Sequence, residues 1–135
     1  MAEIKKINHV AIAVEDIAEA LSFWRDKIGL KLDHIEEVPE QKAKVAFIPV
    51  GESKIELVEP TDEYSGTARF MNSRGPGLHH ICLEVDDILE MTEGLKEKGV
   101  RLIDEAPIEI DDRWISFIHP KSTGGVLVEL YQIKK

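Results

Sequence analysis

Cysteine is nearly absent from this chain, which has one, Cys82, in 135 residues. An intrachain disulfide is therefore excluded. Long apolar runs are also missing, since none approaches the roughly 20 residues that a membrane-spanning helix needs. The first residues run into a strand-like pattern without the apolar segment of a signal peptide. These absences lead us to expect a soluble, cytoplasmic protein.

Positive charge is also scarce. The chain has 17 Lys and Arg against 26 Asp and Glu, a formal net charge of −9 and a pI of about 5.0. Such a field repels phosphate backbones and anionic lipid surfaces, which argues against nucleic-acid and membrane partners. The length, with 43% hydrophobic residues, suits one globular domain over residues 1–135 with a continuous core.

The chain contains an internal repeat. The segment HVAIAVEDI at 9–17 returns as HICLEVDDI at 80–88, and each copy later ends in a glutamate within an apolar run, Glu56 and Glu129. Similarity that continues through a whole supersecondary unit predicts two tandem modules in one domain. We place module one at about 4–59, a connector at about 60–78 and module two at about 79–133.

Each module reads as βαβββ. Asp16 and Asp87 are each followed by a glutamate three positions on, an acidic form of the helix-opening capping pattern. Both helices should run about three turns, the first with an apolar stripe that extends to Ile28, and end before Gly29 and Gly99. A further short helix is predicted near 67–72. Period-2 patterns and turn residues predict strands at 8–14, 30–38, 43–50 and 53–59, then at 80–85, 100–104, 113–118 and 125–132.

His9 and His80 occupy matching places in the two copies, as do Glu56 and Glu129. Two imidazoles and two carboxylates on strand faces would form a mixed nitrogen and oxygen site for a divalent transition metal. Small side chains at 11 and 13 beside His9 would leave room for a ligand. A lone strand histidine is more often structural, but the duplication favours metal ligation.

His79 competes with His80 for the ligand role, and the repeat aligns His79 with Asn8 rather than with His9. A slip of one residue would turn the ring to the other face of the strand. His34 and His119 have no repeat partner, so we expect them to lie at the surface or beside the ligands. We expect Cys82 to be a small buried hydrophobe.

Four segments carry a more specific resemblance: EVPEQ at 37–41, GLHHI at 77–81, FIHPKS at 117–122 and GVLVEL at 125–130. The duplicated arrangement resembles the vicinal oxygen chelate (glyoxalase/bleomycin-resistance/dioxygenase) superfamily, and these segments are similar to its methylmalonyl-CoA epimerase branch in particular. The resemblance implies an α+β fold of two tandem βαβββ modules forming a curved sheet around a metal-binding cleft. It also implies a homodimer and a divalent ion, cobalt by preference, with nickel, manganese or zinc as alternatives. By position, the implied metal ligands are His9, Glu56, His80 and Glu129.

The activity implied by the resemblance is interconversion of the two C2 epimers of methylmalonyl-CoA. A bound metal ion would stabilise the enolate formed by proton loss at C2, and Glu129 would be one of two acid/base groups. Lys121 and Ser122 would hold the substrate carboxylate, although a solvated turn explains them equally well. Where some relatives have a second glutamate this chain has Val45, and IDDRW at 110–114 replaces a glycine-rich loop.

Two other functions fit parts of the pattern. A lactoylglutathione-lyase-type isomerase would use the same ligands on a hemithioacetal. A non-enzymatic module of the same fold would enclose a small molecule in an aromatic-rich cup, but only 6% of residues are aromatic. Extradiol dioxygenase chemistry fits less well, because its iron site uses two histidines and a single carboxylate.

Overall fold

The computed structural model of the chain describes residues 2–134 and has the mixed α+β class that the sequence predicts. Within this range the helices are α1 (Ile17–Trp24), α2 (Gly66–Arg74) and α3 (Ile88–Glu97), and two 3₁₀ turns lie at Pro39–Gln41 and Pro120–Ser122. The strands of the same range are β1 (Ile4–Ala13), β2 (His34–Val38), β3 (Ala43–Val50), β4 (Ser53–Pro60), β5 (Gly77–Val85), β6 (Ile108–Ile110), β7 (Arg113–Ile118) and β8 (Val128–Ile133). Among residues 2–134, no helix has the length and apolar character needed to cross a bilayer.

The described residues divide into two compact units. The first unit is His9–His79, and the second unit consists of residues 2–8 and 80–134. Both boundaries fall inside a strand, β1 and β5, immediately before one of the two repeated histidines.

The sheet of the first unit has the order β2-β3-β4-β1. β1 runs parallel to β4, and the other neighbours are antiparallel. On one face, Ile48 and Leu57 pack with Ile17 and Leu21 of α1, all at most 3% exposed. Because side chains alternate along a strand, the opposite face carries Glu56.

The sheet of the second unit has the order β5-β8-β7-β6, with β5 parallel to β8. Here Val85, Ile118 and Leu130 pack with Ile88 of α3. The opposite face carries Glu129 by the same alternation. Each unit thus has one helix-covered face and one face that presents a glutamate of the repeat.

The two repeated helices begin where the sequence predicts. The carboxylates of Asp16 and Asp87 accept hydrogen bonds from the third backbone N–H of α1 and α3, and so cap each N-terminus. The sheet supplies a second acceptor at each site. Glu59 accepts from the N–H of Ile17 at 2.8 Å, and Gln132 accepts from that of Ile88 at 2.7 Å. Both helices therefore dock on their sheets in the same way. The connector helix is also confirmed, as α2.

The predicted length of the first helix is wrong, because α1 ends at Trp24 after 8 residues. Beyond it the helical turn widens. The N–H of Asp26 donates to the carbonyl of Leu21, and the N–H of Ile28 donates to the carbonyl of Phe23, in each case five residues back. The extra residue before Gly29, relative to the second copy, is accommodated in this loosened turn. Ile28 is consequently 56% exposed and does not belong to the apolar stripe.

The strand predicted at 100–104 is also absent, apart from a single bridge between Leu102 and Ile118. The strand that forms in this part of the chain lies further on, at Ile108–Ile110. Asp111 has a φ of +48°, and the turn that it opens pairs Ile108–Ile110 with β7. Residues 100–104 meet the same edge of β7 beyond β6, where the Ile103 N–H donates to the Phe117 carbonyl and the His119 N–H donates to the Arg101 carbonyl, but the pairing stops at this one bridge.

Two strands begin later than predicted. Residues 30–33 are irregular, with Leu30 and Leu32 packed against the helix-side core of the first unit. Residues 125–127 still belong to a turn, since Gly125 has a φ of +107° and Thr123 Oγ1 accepts from the N–H of Val126. Packing against the core keeps residues 30–33 out of β2, and the turn keeps residues 125–127 out of β8.

Candidate metal centre

In the first unit, the strand pairing brings His9 and Glu56 together. β1 and β4 are in register with Ala11 opposite Glu56, so His9 lies on the same face two residues earlier. His9 Nδ1 is 3.2 Å from Glu56 Oε2, and their side chains are only 7% and 14% exposed. An imidazole and a carboxylate are thus held in contact with little access to water.

The space expected beside His9 is partly filled. Ala11 is fully buried in an apolar cluster with Ala43, Val45 and Val58. The prediction that a small residue at 11 leaves room for a ligand is therefore wrong, because side chains from β3 and β4 cover it. Val45 itself is 2% exposed and offers no group for proton transfer.

In the second unit, His80 and Glu129 make the corresponding pair. Cys82 on β5 is opposite Glu129 on β8, which sets Glu129 on the face that also carries His80. His80 Nε2 is 3.0 Å from Glu129 Oε1, with side chains 11% and 5% exposed. Cys82 is fully buried, as expected of a small hydrophobe.

His79 has different surroundings, as the repeat register predicts. Its ring packs edge-on against Phe70 of α2, with the centroids 4.9 Å apart. The histidines without a repeat partner belong to neither pair. His34 is half-exposed and stacks on Phe47, and His119 Nδ1 accepts from the backbone N–H of Lys121.

The two residues predicted to bind substrate lie in the 3₁₀ turn Pro120–Ser122, and both are exposed. Ser122 Oγ accepts a hydrogen bond of 2.8 Å from the backbone N–H of Arg101, which ties this turn to the loop after α3. The Lys121 ammonium group lies at the surface. Partial desolvation, and then the charges of Arg101 and Lys121, lower the pKa of His119.

Sequence reasoning gave no role to a further buried carboxylate of the second unit. Glu84 is 7% exposed and accepts a hydrogen bond of 3.1 Å from the Asn8 amide. It follows His80 and Cys82 at two-residue intervals, so strand alternation places it on their face. The alternation gives its face from the sequence alone, whereas its burial and its bond to Asn8 depend on the fold.

Tyr131 borders the same face, two residues after Glu129. Burial raises the pKa of its hydroxyl to about 12, against a smaller opposing effect of the Arg113 charge. The guanidinium group of Arg113 lies over the Tyr131 ring, 5.7 Å from its centroid. The tyrosine is therefore a neutral hydroxyl at physiological pH.

The donor atoms of both pairs fit a divalent transition metal. Imidazole nitrogen and carboxylate oxygen are ordinary ligands of cobalt, nickel, manganese and zinc. Side chains this little exposed retain these polar atoms only where another group satisfies them. A metal-binding function is consistent with each pair taken by itself.

The family profile described as the Glyoxalase/Bleomycin resistance protein/Dioxygenase superfamily matches residues 8–117. The chain belongs to this superfamily, whose enzymes typically use a divalent metal.

Three relatives narrow the comparison. The chain is 40% identical to the mitochondrial methylmalonyl-CoA epimerase of Mus musculus, over 96% of this chain and 74% of the relative. It is 39% identical to an ethylmalonyl-CoA/methylmalonyl-CoA epimerase of Cereibacter sphaeroides, over 96% of this chain and 99% of the relative. A solved structure of methylmalonyl-CoA epimerase with methylmalonyl-CoA and NH4+ is 30% identical, covers 97% of this chain and 96% of its own, and superposes with a TM-score of 0.88.

Proposed function

We propose that the protein is an isomerase that interconverts the (R) and (S) epimers of methylmalonyl-CoA by moving the proton at C2. The observation that carries the proposal is the recurrence of one His–Glu contact at the same place in both repeats, His9 with Glu56 and His80 with Glu129. The three epimerase relatives, each matched over nearly the whole chain, support the same reaction.

In this proposal, the ligands of one divalent ion are His9, Glu56, His80 and Glu129. A bound metal supplies the positive charge that stabilises the enolate formed when C2 loses its proton. The metal-free binding module is the weaker alternative, because an aromatic-rich cup needs no repeated imidazole and carboxylate pair. Cobalt is the metal that we favour.

Glu129 serves as an acid/base group at C2. Its carboxylate is 5% exposed, so few water molecules compete for the proton that it receives. A base held in this position typically accelerates proton transfer about 10²- to 10⁴-fold. Epimerisation also needs a proton donor on the opposite face of C2, and Glu129 supplies one of these two groups.

We further propose that Lys121 and Ser122 receive the free carboxylate of the substrate. The hydrogen bond from Arg101 to Ser122 Oγ fixes the turn, and the exposed ammonium group of Lys121 can pair with a carboxylate. The remaining parts of the proposal are a homodimer and a cytoplasmic location, which suits a chain with a single buried thiol.

The direct test is proton NMR of methylmalonyl-CoA in deuterated water, with cobalt-loaded protein and with chelator-treated protein. The proposal predicts loss of the C2 proton signal with the loaded protein and little loss after chelation. The lactoylglutathione-lyase-type reaction predicts instead that C2 stays protonated while the methylglyoxal–glutathione adduct is isomerised. Either that result or exchange that is independent of metal would overturn the proposal.

A further inference from the structure

We propose that Phe117 forms the wall against which the alkyl group on C2 of the substrate packs, and so sets the preference between methyl and larger substituents. This inference rests on the proposed epimerase function. It concerns only the second unit, which contains Phe117, His80 and Glu129.

Phe117 contacts both members of the second His–Glu pair. It is directly opposite Glu129 in the antiparallel β7–β8 ladder, a position that brings two Cβ atoms to within about 4.5–5.5 Å on the same face. Its ring also meets His80 edge-on, with centroids 5.7 Å apart and an interplanar angle of 86°. The benzyl group therefore borders the carboxylate on one side and the imidazole on the other.

Phe117 is also the apolar neighbour of Glu129 that keeps accessible surface. Cys82 is fully buried and Ile115, the next residue of β7 on this face, is 3% exposed. Neither can give a ligand much contact area. Phe117 is only partly buried, so its ring retains accessible apolar surface beside the glutamate. An alkyl group packed against this ring would be removed from water, which favours binding.

The chemistry of C2 indicates which substituent meets this surface. C2 carries a proton, a carboxylate, a thioester carbonyl and an alkyl group. The proton must face Glu129, and the two oxygen-bearing groups require polar or charged partners. The alkyl group is therefore the substituent that packs against the aromatic ring next to Glu129. In an apolar pocket, one methylene changes kcat/KM about 10- to 200-fold.

The experiment compares C2 deuterium exchange of methylmalonyl-CoA and ethylmalonyl-CoA as a ratio of kcat/KM values. We expect the native protein to favour the methyl substrate by about tenfold or more. Phe117→Ala and the milder Phe117→Leu should each shift the ratio toward the ethyl substrate, the alanine variant by about tenfold. Phe70→Leu is the matched control, because Phe70 contacts His79 in the first unit, and it should leave the ratio unchanged.

The outcomes separate this inference from the function on which it rests. If the native protein exchanges C2 but both Phe117 variants slow the two substrates equally, Phe117 does not contact the alkyl group and the inference is overturned. If the native protein exchanges neither substrate, the proposed function is overturned as well. Thermal unfolding of each variant shows whether lost exchange is lost structure, and the leucine variant carries the test if the alanine variant does not fold.

Discussion

Glu129 and His80 are joined across parallel strands by a 3.0 Å contact between Oε1 and Nε2, and the first repeat reproduces this contact with His9 and Glu56 at 3.2 Å. The ring nitrogens differ, since His9 uses Nδ1. The repeat therefore preserves the pair of chemical groups and its place on the strand face, although the imidazoles are oriented differently.

Replacing Glu129 by glutamine should reduce the rate of C2 exchange by about 10²- to 10⁴-fold, because the amide cannot accept the proton. The shape of the side chain and its contact with His80 are largely retained. The measurement is the initial rate of deuterium incorporation by NMR.

Glu93→Gln is the matched control for this variant, since Glu93 is an exposed carboxylate of α3 in the same unit. It should exchange at the native rate. Native-like exchange by the Glu129 variant, with its metal content unchanged, would remove Glu129 from the acid/base role.

Ser116→Ala should stabilise the protein. Ser116 is 1% exposed, and its hydroxyl has no hydrogen-bond partner among the described residues. Removing a buried hydroxyl without a partner gains about 1–3 kcal/mol, which raises Tm by about 4–11 °C in a chain of this size. Urea and thermal unfolding measure the effect.

The first repeat provides the reverse substitution. Ser116 is opposite Leu130 in the β7–β8 ladder, and Ala46 is opposite Leu57 in the β3–β4 ladder. Each leucine follows a repeated glutamate. Ala46→Ser should therefore lower the free energy of unfolding by about the amount that Ser116→Ala raises it. A stabilising Ala46→Ser would contradict this explanation.

Tyr131 should make the protein lose stability in alkali. Burial raises the pKa of its hydroxyl to about 12 in the folded state, from about 10 in an unfolded chain. Because the unfolded chain loses this proton first, the stabilisation is complete below about pH 10 and disappears as the pH rises through about 12. The residue is partly exposed, so we expect a contribution of about 1 kcal/mol after allowing for solvent screening.

The Tyr131→Phe variant lacks the hydroxyl group and therefore does not titrate at this position. Urea unfolding at about pH 9 and about pH 11.5 should show a larger loss of stability for the native protein than for the variant. Equal losses would show that the Tyr131 hydroxyl does not titrate differently in the folded and unfolded states.

The sequence predicts the fold class and the capped starts of α1 and α3, because these depend on local patterns that the duplication repeats. The same duplication singles out the two histidines and two glutamates, but not which of them lie in contact. Prediction from the sequence fails where tertiary packing decides. The predicted strand at 100–104 makes only a single bridge to β7, and Ile28 leaves the helix at a widened turn. Neither outcome is visible in hydrophobic periodicity.

The surroundings of the candidate ligands also depend on packing. Ala11 has a small side chain, but neighbouring residues cover it in the structure. The contact between Phe117 and His80 joins β7 to β5, two strands that each pair with β8 rather than with each other. Local patterns give the residue types of a site. The shape around them depends on strand order and register, which the sequence specifies only indirectly.

The most direct test of the central claim, that the two pairs share one ion, is the stoichiometry of cobalt binding measured by calorimetry with elemental analysis. We predict about one ion per chain, a marked loss of binding in both His9→Ala and His80→Ala, and native binding in the His79→Ala control. Two ions per chain, or a histidine variant that still binds one ion with native affinity, would show that each pair acts by itself and would contradict the account.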